Sequence, residues 1–499
     1  IAWSRDGLEI ARLMMLRSWR FSWIQHWALV AQYICPRRSL WLSEGGVDQP
    51  VPNSMVRGLP INTSILDSTA TYASQNCAAG MMSGLMSPSR PWFKLTLPFN
   101  IAHADREAMI WLEQVENLIY LVMGQSNFYD AAAQMFEDLG NFGTAPMIIY
   151  EDAERIIKCY NPVVGEYYVA VGAAFRPESL FRQFVLTVAQ MVEMFGLVNC
   201  PTSVQSLWAN KGSGLEQEFI VAHAIEPNFA LEKPGLSGSY GQIKGNYTYR
   251  ETYWVWGSSS DYPLSMRGFH ETPFVSPRWW VTGNDAYGRS PAMNVLGDTI
   301  QLQQETKRKA ELIEKLIRPP LNAPVELKNQ PSSIVPGAIN YTSNPSTMAM
   351  KPVFEINGQA LPAVTADLQE VQNRIKVGFY NDLFLMLAQQ TKDMTAYEVS
   401  QRVQERMQVL GPVIERLQNE ALAPAIKRIF AILHRKNMLP PLPRSLVGVP
   451  VQIEYISMMT QAQRAVQTAG IERLLAMQGR MAAVNPAVLD LIDDDEVLR

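Results

Sequence analysis

The order of apolar and polar positions changes character near residue 285 of the 499-residue chain. Before this point, helical periodicities alternate with short runs rich in β-branched and aromatic residues, which predict strands. The predicted strands are APMIIYED, GEYYVAVGAAF, EFIVAHAIEP and RETYWVWG. The segment RPESLFRQFVLTVAQMVEMFG, between the second and third strands, is predicted to be a helix that ends at Gly196. The first part of the chain is therefore predicted to be an α+β domain.

Other segments of this part have helical periodicity. They are FSWIQHWALVAQYICP, DSTATYASQNCAAGMMSGLMS and DREAMIWLEQVENLIYLVMGQSNFYDAAAQMFEDLG, the last with one or two helices. The first is the most apolar, but Gln25, His26 and Gln32 interrupt it and arginines flank it. It is too short and too interrupted for a membrane span, and we predict a packed helix that ends before Pro36.

A long rod is predicted after residue 285. Ser290 is a suitable N-cap, and Pro291 occupies the first helical position, where its missing N–H costs nothing. After Gly297 no Gly or Pro interrupts the helix before the pair Pro319-Pro320, so about 27 residues, counted from the start of the rod at Pro291, can span roughly 40 Å. The middle of the rod, QLQQETKRKAE, is polar. Because glutamates neighbour its three basic residues, we expect a solvent-facing or subunit-facing surface rather than a phosphate site.

Two more long helices follow a proline-rich module with short β-like pieces. The first begins near Pro362 and is predicted to lie antiparallel to the rod. Its apolar stripe consists of Val364, Leu368, Val371, Ile375, Phe379 and Leu383. The second begins at Thr395, which forms a capping box with Glu398, and Pro412 and Pro424 predict kinks or breaks in it.

Composition narrows the class of protein. The net charge is −4 and the hydrophobic fraction 47%, which indicates a chain with a core and disfavours tight binding to nucleic-acid phosphates. The four cysteines are far apart, which indicates neither a zinc site nor a disulfide framework, and fits a reducing compartment.

Catalytic signatures are weak. None of the five histidines has the i, i+4 spacing of a helical metal site, so a structural role is favoured for each. The loop GLSGSYGQIKGN lacks the Gly-Lys-Ser/Thr ending of a phosphate-binding loop. The acidic residues 493–496 are better explained as a solvated helix end than as a cation site. Lys392 differs from the basic residues of the rod, because it lies in a short loop between two long helices rather than on a helical face. Its amine would project into any passage that those helices line.

Several long motifs in order carry a resemblance to a known family. They are INTSILDSTATYASQNCAAGMMSGLMSPSRPWFKL, SNFYDAAAQMFEDLGNFGTAPMIIYED, YGRSPAMNVLGDTIQLQQETKRKAELIEKLIRPPLNAP, VPGAINY and MTAYEVSQRVQERMQVLGPVIERLQNEALAPAIKRIFAIL. Together they resemble the head-to-tail connector, or portal protein, of short-tailed bacteriophages. The likeness extends from about Trp23 to the C-terminus.

The resemblance implies a predominantly helical α+β portal fold with a wing, a two-helix stem, a small α/β clip and a helical crown. It implies a ring, usually of twelve copies, at one capsid vertex, which conducts double-stranded DNA without reading its sequence. The implied partners are the terminase packaging motor, the tail adaptor, and capsid and scaffold proteins, with no membrane. The protein would be structural rather than an enzyme, without cofactor or metal, located in the virion and in the host cytoplasm during assembly.

The resemblance also assigns parts of the chain. The implied domains are a wing over 1–284, a first stem helix over 285–318, a clip over 319–361, a second stem helix over 362–388, a channel loop over 389–394, a long wing helix and the following segment over 395–459, and the beginning of the crown over 460–499. Candidate DNA-channel residues are Gln390, Thr391, Lys392 and Asp393. Candidate clip or partner-docking residues are Asn322, Glu326, Lys328, Asn340 and Tyr341.

Physical reasoning supports this implication of a ring. A stem helix that packs against its partner helix and neighbouring subunits, and also faces a water-filled bore, needs narrow contact strips with polar surface between them. Twelve copies at −4 each would give an acidic ring of charge −48, along which DNA can slide without its phosphates being held. Two alternatives stay open: a metal-dependent hydrolase or nuclease with an unrecognised acidic site, and a non-phage scaffold ring.

Overall fold

The computed structural model contains, within the residues that it describes, eleven numbered α-helices, further α-helical stretches at 410–417 and 459–460, and twelve strands. These residues are 5–42, 63–97, 106–210, 212–228, 247–257, 263–318, 321–322, 325, 351–352, 360–388, 410–446, 448–449, 451–457 and 459–460. The helices are α1 (Arg5–Tyr33), α2 (Thr69–Leu85), α3 (Arg106–Gln125), α4 (Phe128–Phe142), α5 (Val188–Phe195), α6 (Thr202–Asn210), α7 (Pro291–Asn294), α8 (Leu296–Ile317), α9 (Ala360–Gly378), α10 (Asn381–Ala388) and α11 (Ala423–Arg435). The strands are β1 (Phe93–Thr96), β2 (Met147–Glu151), β3 (Ile157–Tyr160), β4 (Tyr167–Val171), β5 (Pro177–Thr187), β6 (Glu218–Pro227), β7 (Tyr249–Val255), β8 (Ser265–Phe269), β9 (Phe274–Val275), β10 (Leu321–Asn322), β11 (Lys351–Pro352) and β12 (Gln452–Tyr455).

The described strands pair antiparallel in four small sheets. The largest has the order β4-β5-β6-β7-β8, and β3-β2-β9 form a second sheet. The other two are pairs, β1 with β12 and β10 with β11. All four predicted strands of the first part are present, as β2, β4, β6 and β7. The mixture of helix and sheet confirms the predicted α+β class.

The predicted helix over RPESLFRQFVLTVAQMVEMFG is wrong for its first half. Residues Pro177–Thr187 form β5, which pairs with β4 on one side and β6 on the other. Only Val188–Phe195 are helical, with Thr187 as N-cap, and the helix ends at Gly196 as predicted. The middle of β5, residues 179–183, is buried on both faces and includes Arg182 and Gln183, so it lacks the alternation of apolar and polar residues that marks a half-buried strand.

The tryptophan-rich α1 lies against the largest sheet and the central helices. Its buried side includes Leu13, Leu16 and Trp27, and Arg20 donates to the carbonyls of Gly165 and Tyr167 at the edge of the sheet. The predicted packed helix is confirmed, although it begins earlier than the apolar segment. No helix among the described residues combines the length and apolar character needed to cross a membrane.

The main core surrounds α2, whose small side chains permit close approach. A Cβ atom on Gly80 would lie 2.2 Å from the Phe384 ring of α10, so glycine is required at this contact. The stripe predicted on the second long helix faces this core: Leu368, Val371, Ile375, Phe379 and Leu383 are buried. This helix is broken into α9 and α10, because Tyr380 adopts a positive φ of 58° between them.

Pro424 distorts the third long helix, as predicted. Residues 410–417 are helical, Gln418–Leu422 form a π turn, and α11 continues from Ala423. The Ala423 N–H donates to the carbonyl of Gln418, five residues earlier. A proline cannot donate to the residue four positions before it, so the wider turn fits the missing donor. The predicted cap at Thr395 lies outside the described residues.

Candidate oligomer interface and channel site

The rod formed by α7 and α8 is anchored in the core at its N-terminal end. The Ser290 hydroxyl accepts from the Met293 N–H at 3.1 Å and donates to the carbonyl of Asn141 in α4 at 2.7 Å. The predicted cap is therefore confirmed, and it also joins the rod to α4. Val295 breaks the first turn, so the long uninterrupted helix begins at Leu296.

The polypeptide before the rod passes very close to the end of α4. The Trp279 N–H donates to the carbonyl of Gly143 at 2.9 Å. A Cβ on Gly143, which has a φ of 74°, would lie 2.2 Å from the carbonyl oxygen of Gly288. Only glycine can combine this backbone conformation with this close approach. The position of the rod is thus fixed by backbone contacts as well as by side chains.

Asp67 connects α8 and α9 near the ends of these helices that are anchored in the core. The Gln303 amide of α8 accepts from the Asp67 N–H at 2.9 Å and donates to its carbonyl at 2.8 Å. The Gln372 amide of α9 donates to the Asp67 carboxylate, also at 2.8 Å. Burial alone would raise the pKa of Asp67, but hydrogen bonds from Thr69 and Gln372 outweigh it and lower that pKa. Asp67 therefore joins the two helices, with its backbone bound to α8 and its ionised carboxylate bound to α9.

Helices α8 and α9 are antiparallel, as predicted. Arg374 lies beside Asp298, with Nε–Oδ1 at 3.2 Å, and a Cβ on Gly378 would lie 2.1 Å from Val295. The end of α9 therefore lies against the beginning of α8. At the far ends of the two helices, β10 pairs antiparallel with β11, where Asn322 faces Lys351. The two helices and this short ladder form one hairpin.

Only the base of this hairpin is packed into the core. The buried residues of α8 are Leu296, Thr299, Leu302 and Gln303. No residue of 304–317 in α8 or of 361–367 in α9 is buried in the single chain. We call these stretches, with Arg318 and residues 368–370, the outer half of the hairpin. It is not wholly polar, since Leu312 and Ile313 are half-buried and Ile317 is 72% exposed.

The two helices of the outer half carry opposite net charges. Residues 304–318 contain five basic and three acidic side chains, a net charge of +2. Residues 360–370 contain Asp367 and Glu370 and no basic residue, a net charge of −2. Lys307 and Arg308 are exposed, which agrees with the solvent-facing or subunit-facing surface predicted for this segment.

A buried ion pair links the base of the rod to the π turn before α11. The Arg278 guanidinium binds the Glu420 carboxylate at 2.6 Å and donates to the carbonyls of Asp285 and Phe175 at 2.9 and 2.7 Å. Both charged side chains are almost inaccessible to solvent. Sequence reasoning missed this site, because its members are up to 245 positions apart and no periodicity relates them.

A polar row crosses the largest sheet. Arg182, His223 and Tyr253 are directly opposite one another on β5, β6 and β7. Arg182 Nε donates to His223 Nδ1 at 2.8 Å, so the imidazole is neutral and donates from Nε2 to the Glu251 carboxylate. Burial and the Arg182 charge together outweigh the hydrogen bond to Glu251 and lower the pKa of His223 to about 4. All four side chains are buried and joined by hydrogen bonds, although Glu251 Oε2 has no partner among the described residues, and the buried network agrees with a structural role for this histidine.

The predicted site residues mostly lie outside the described residues. These are the channel candidates Gln390, Thr391, Lys392 and Asp393, and the clip candidates Glu326, Lys328, Asn340 and Tyr341. Asn322 is described, and its backbone forms part of the short ladder at the far end of the hairpin. Among the described residues, no group of three or more His, Cys, Asp or Glu side chains is placed to hold a metal ion.

A comparison with known families decides the relationship. The model of the family "Bacteriophage head to tail connecting protein" matches residues 9–499. The chain belongs to this family. The resemblance inferred from the sequence motifs is thereby confirmed, and the alternative of a metal-dependent hydrolase or nuclease is not favoured.

The names of two related phage proteins agree with membership of this family. The chain is 39% identical over 492 residues to a probable portal protein of Bordetella phage BPP-1 and 37% identical over 493 residues to the portal protein of Salmonella phage epsilon15. Each match covers 98% of this chain and 85% of the relative. A chain of the virion of a native gene transfer agent particle is 11% identical, with a TM-score of 0.37, over 90% of this chain and 95% of its own. A chain from the neck of an empty particle of that kind is 10% identical, with a TM-score of 0.33, over 86% and 88%.

Proposed function

We propose that copies of this chain form a ring at one vertex of a phage capsid, the channel for double-stranded DNA during packaging and ejection. The observation that carries the proposal is membership of the connector family along nearly the whole chain, with relatives named portal proteins. The chain itself would be a structural conduit. A separate terminase would supply the energy for packaging, and a tail adaptor would bind after the head is filled.

The hairpin geometry supports this function. A pair of helices whose outer half buries only one residue, Leu368, gains stability when copies stand side by side. A ring supplies such neighbours on both sides of every copy and leaves a polar surface toward the bore. We therefore assign 285–318 and 362–388 to the stem and 319–361 to the clip, where Asn322, Glu326, Lys328, Asn340 and Tyr341 are candidates for contact with the motor or adaptor.

The remaining parts follow the same assignment. Residues 1–284 and 395–459 would form the wing, which contacts capsid and scaffold proteins, and 460–499 would begin the crown. The loop 389–394 would approach the DNA, with Lys392 as the candidate for a transient phosphate contact and Gln390, Thr391 and Asp393 beside it. The ring would assemble in the host cytoplasm and remain in the virion.

Particle mass and shape test the proposal directly. Twelve copies of the 56.1 kDa chain have a mass of about 0.67 MDa, which light scattering after size exclusion separates clearly from a monomer or dimer. Averaged electron-microscopy views along the axis should show a central hole wide enough for duplex DNA. A chain that remains a folded monomer under all assembly conditions would overturn the proposal. A closed ring without an axial hole would favour the scaffold-ring alternative.

A further inference from the structure

The outer half of the hairpin has two surfaces of opposite charge that its own chain leaves uncovered. On α8, Lys307, Arg308 and Lys315 are exposed. On α9, Asp367 and Glu370 are exposed, and the Glu370 side chain is 70% accessible. Among the described residues, Lys307, Arg308 and Asp367 take part in no ion pair. Charges in such a position are available to a neighbouring molecule.

Apolar side chains accompany these charges. Leu312, Ile313 and Leu316 of α8 and Val364 of α9 are only partly buried, and Ile317 is largely exposed. A solvated pair of helices would not need apolar residues at these positions, whereas the edge of a helix-to-helix contact does. The mixture of apolar strips and charges resembles the seam between packed helices, where charges set the choice and orientation of the partner.

We propose that the outer basic surface of α8 in one copy packs against the outer acidic surface of α9 in the next copy around the ring. This inference rests on the proposed ring. A head-to-tail ring requires two different surfaces that fit each other on every chain, and α8 and α9 carry such a pair side by side. The net charges of +2 and −2 attract across the contact and oppose the α8-to-α8 or α9-to-α9 arrangement.

Two charge-reversal variants test this pairing. The double substitution Lys307→Glu and Arg308→Glu makes both surfaces acidic, and the double substitution Asp367→Lys and Glu370→Lys makes both surfaces basic. Each variant alone should form about tenfold fewer rings than the wild type at equal concentration, because like charges meet at every contact. A 1:1 mixture should recover rings in which the two variants alternate. Light scattering measures the fraction of the protein in rings, and native mass spectrometry measures how many copies of each variant a mixed ring contains.

The mixture distinguishes contacts between copies from contacts within one hairpin. A chain with all four substitutions would regain opposite charges in both settings, but the mixed variants regain them only between copies. A matched control carries the same change of charge on the exposed hairpin between β2 and β3, Arg155→Glu with Lys158→Glu, and should assemble normally.

The outcomes separate the two proposals. If both reversal variants form rings as readily as the wild type, this contact is wrong while the proposed function stands. Recovery only in the chain with four substitutions, and not in the mixture, would also overturn the contact, since the charges would then act within one hairpin. A wild-type chain that forms no ring would instead overturn the proposed function. Alternating rings in the mixture would establish the pairing.

Discussion

The contribution of an individual charged residue to the fold depends on how deeply the residue is buried. The Arg278 guanidinium is nearly inaccessible and satisfies its donors with the Glu420 carboxylate and two carbonyls. By contrast, the Arg374 side chain, which pairs with Asp298, is 44% exposed. Exposed pairs are weakened by water and salt, whereas a buried charge left without its partner keeps the full cost of desolvation.

This contrast predicts different effects for two arginine substitutions. Arg278→Met would leave the buried Glu420 carboxylate with only the backbone N–H of residue 278 and the more distant Arg416, at 4.0 Å, as partners, and should destabilise the chain by about 3 kcal/mol. Arg374→Met should cost only about 0–1 kcal/mol, because both partners are partly solvated. Urea denaturation followed by fluorescence compares the two. Equal midpoints for the two variants would show that Arg278 does not anchor the rod to the π turn.

The buried histidine predicts a dependence of stability on pH. The folded chain keeps His223 neutral down to a pKa of about 4, whereas an unfolded chain takes up the proton near pH 6.5. The stabilisation is complete above pH 6.5 and declines as the pH falls toward 4, by about 2 kcal/mol at pH 5. The thermal midpoint should decrease from pH 7 to pH 5 in both proteins, and the decrease should be smaller for His223→Gln than for the wild type. Identical shifts for both proteins would count against this assignment.

At the scale of helices and strands, the packing of α9 is the clearest feature. Its stripe continues through the break at Tyr380 into α10, so both helices face α2. The buried positions lie on one side of the helix and the exposed positions on the other. An aliphatic side chain on the buried side should therefore contribute far more to the free energy of unfolding than an aliphatic side chain on the exposed side.

Two truncations on α9 test this asymmetry. Ile375 is fully buried, and Ile375→Ala should cost about 2–5 kcal/mol from lost burial and the cavity left behind. Val377 is 38% exposed, and Val377→Ala should cost less than about 0.5 kcal/mol. Hydrogen exchange of α9 and α2 amides, with thermal unfolding, measures both effects. Comparable losses would contradict the packing of α9 on α2.

The same elements show what the sequence could predict. The cap at Ser290, the stripe on α9 and the distortion at Pro424 follow from local rules, because each depends on residues within a few turns. The strand β5 does not, because pairing with strands on both sides overrides its helical pattern. The Arg278–Glu420 contact joins positions 142 residues apart, which neither propensity nor spacing indicates.

At the scale of the whole molecule, the net charge of the chain determines how strongly a ring of copies would hold DNA in its channel. The chain carries −4, so any ring of it is acidic and repels DNA phosphates on average. Weak adhesion suits a conduit, since counterion release from many phosphate contacts would hold the duplex in place. In the proposed channel, a few basic residues near the DNA would then control its retention more strongly than their number suggests.

Lys392, in the predicted channel loop, is the residue whose substitution tests the effect of a basic side chain on DNA packaging. Lys392→Glu should leave ring formation unchanged, because the predicted channel loop is separate from the proposed contact between α8 and α9. It should lower the amount of DNA packaged per particle by about tenfold, since an added ring of carboxylates repels the phosphates. Lys392→Arg keeps the charge and serves as the control. Wild-type packaging by the glutamate variant in an in vitro assay would place Lys392 outside the path of the DNA.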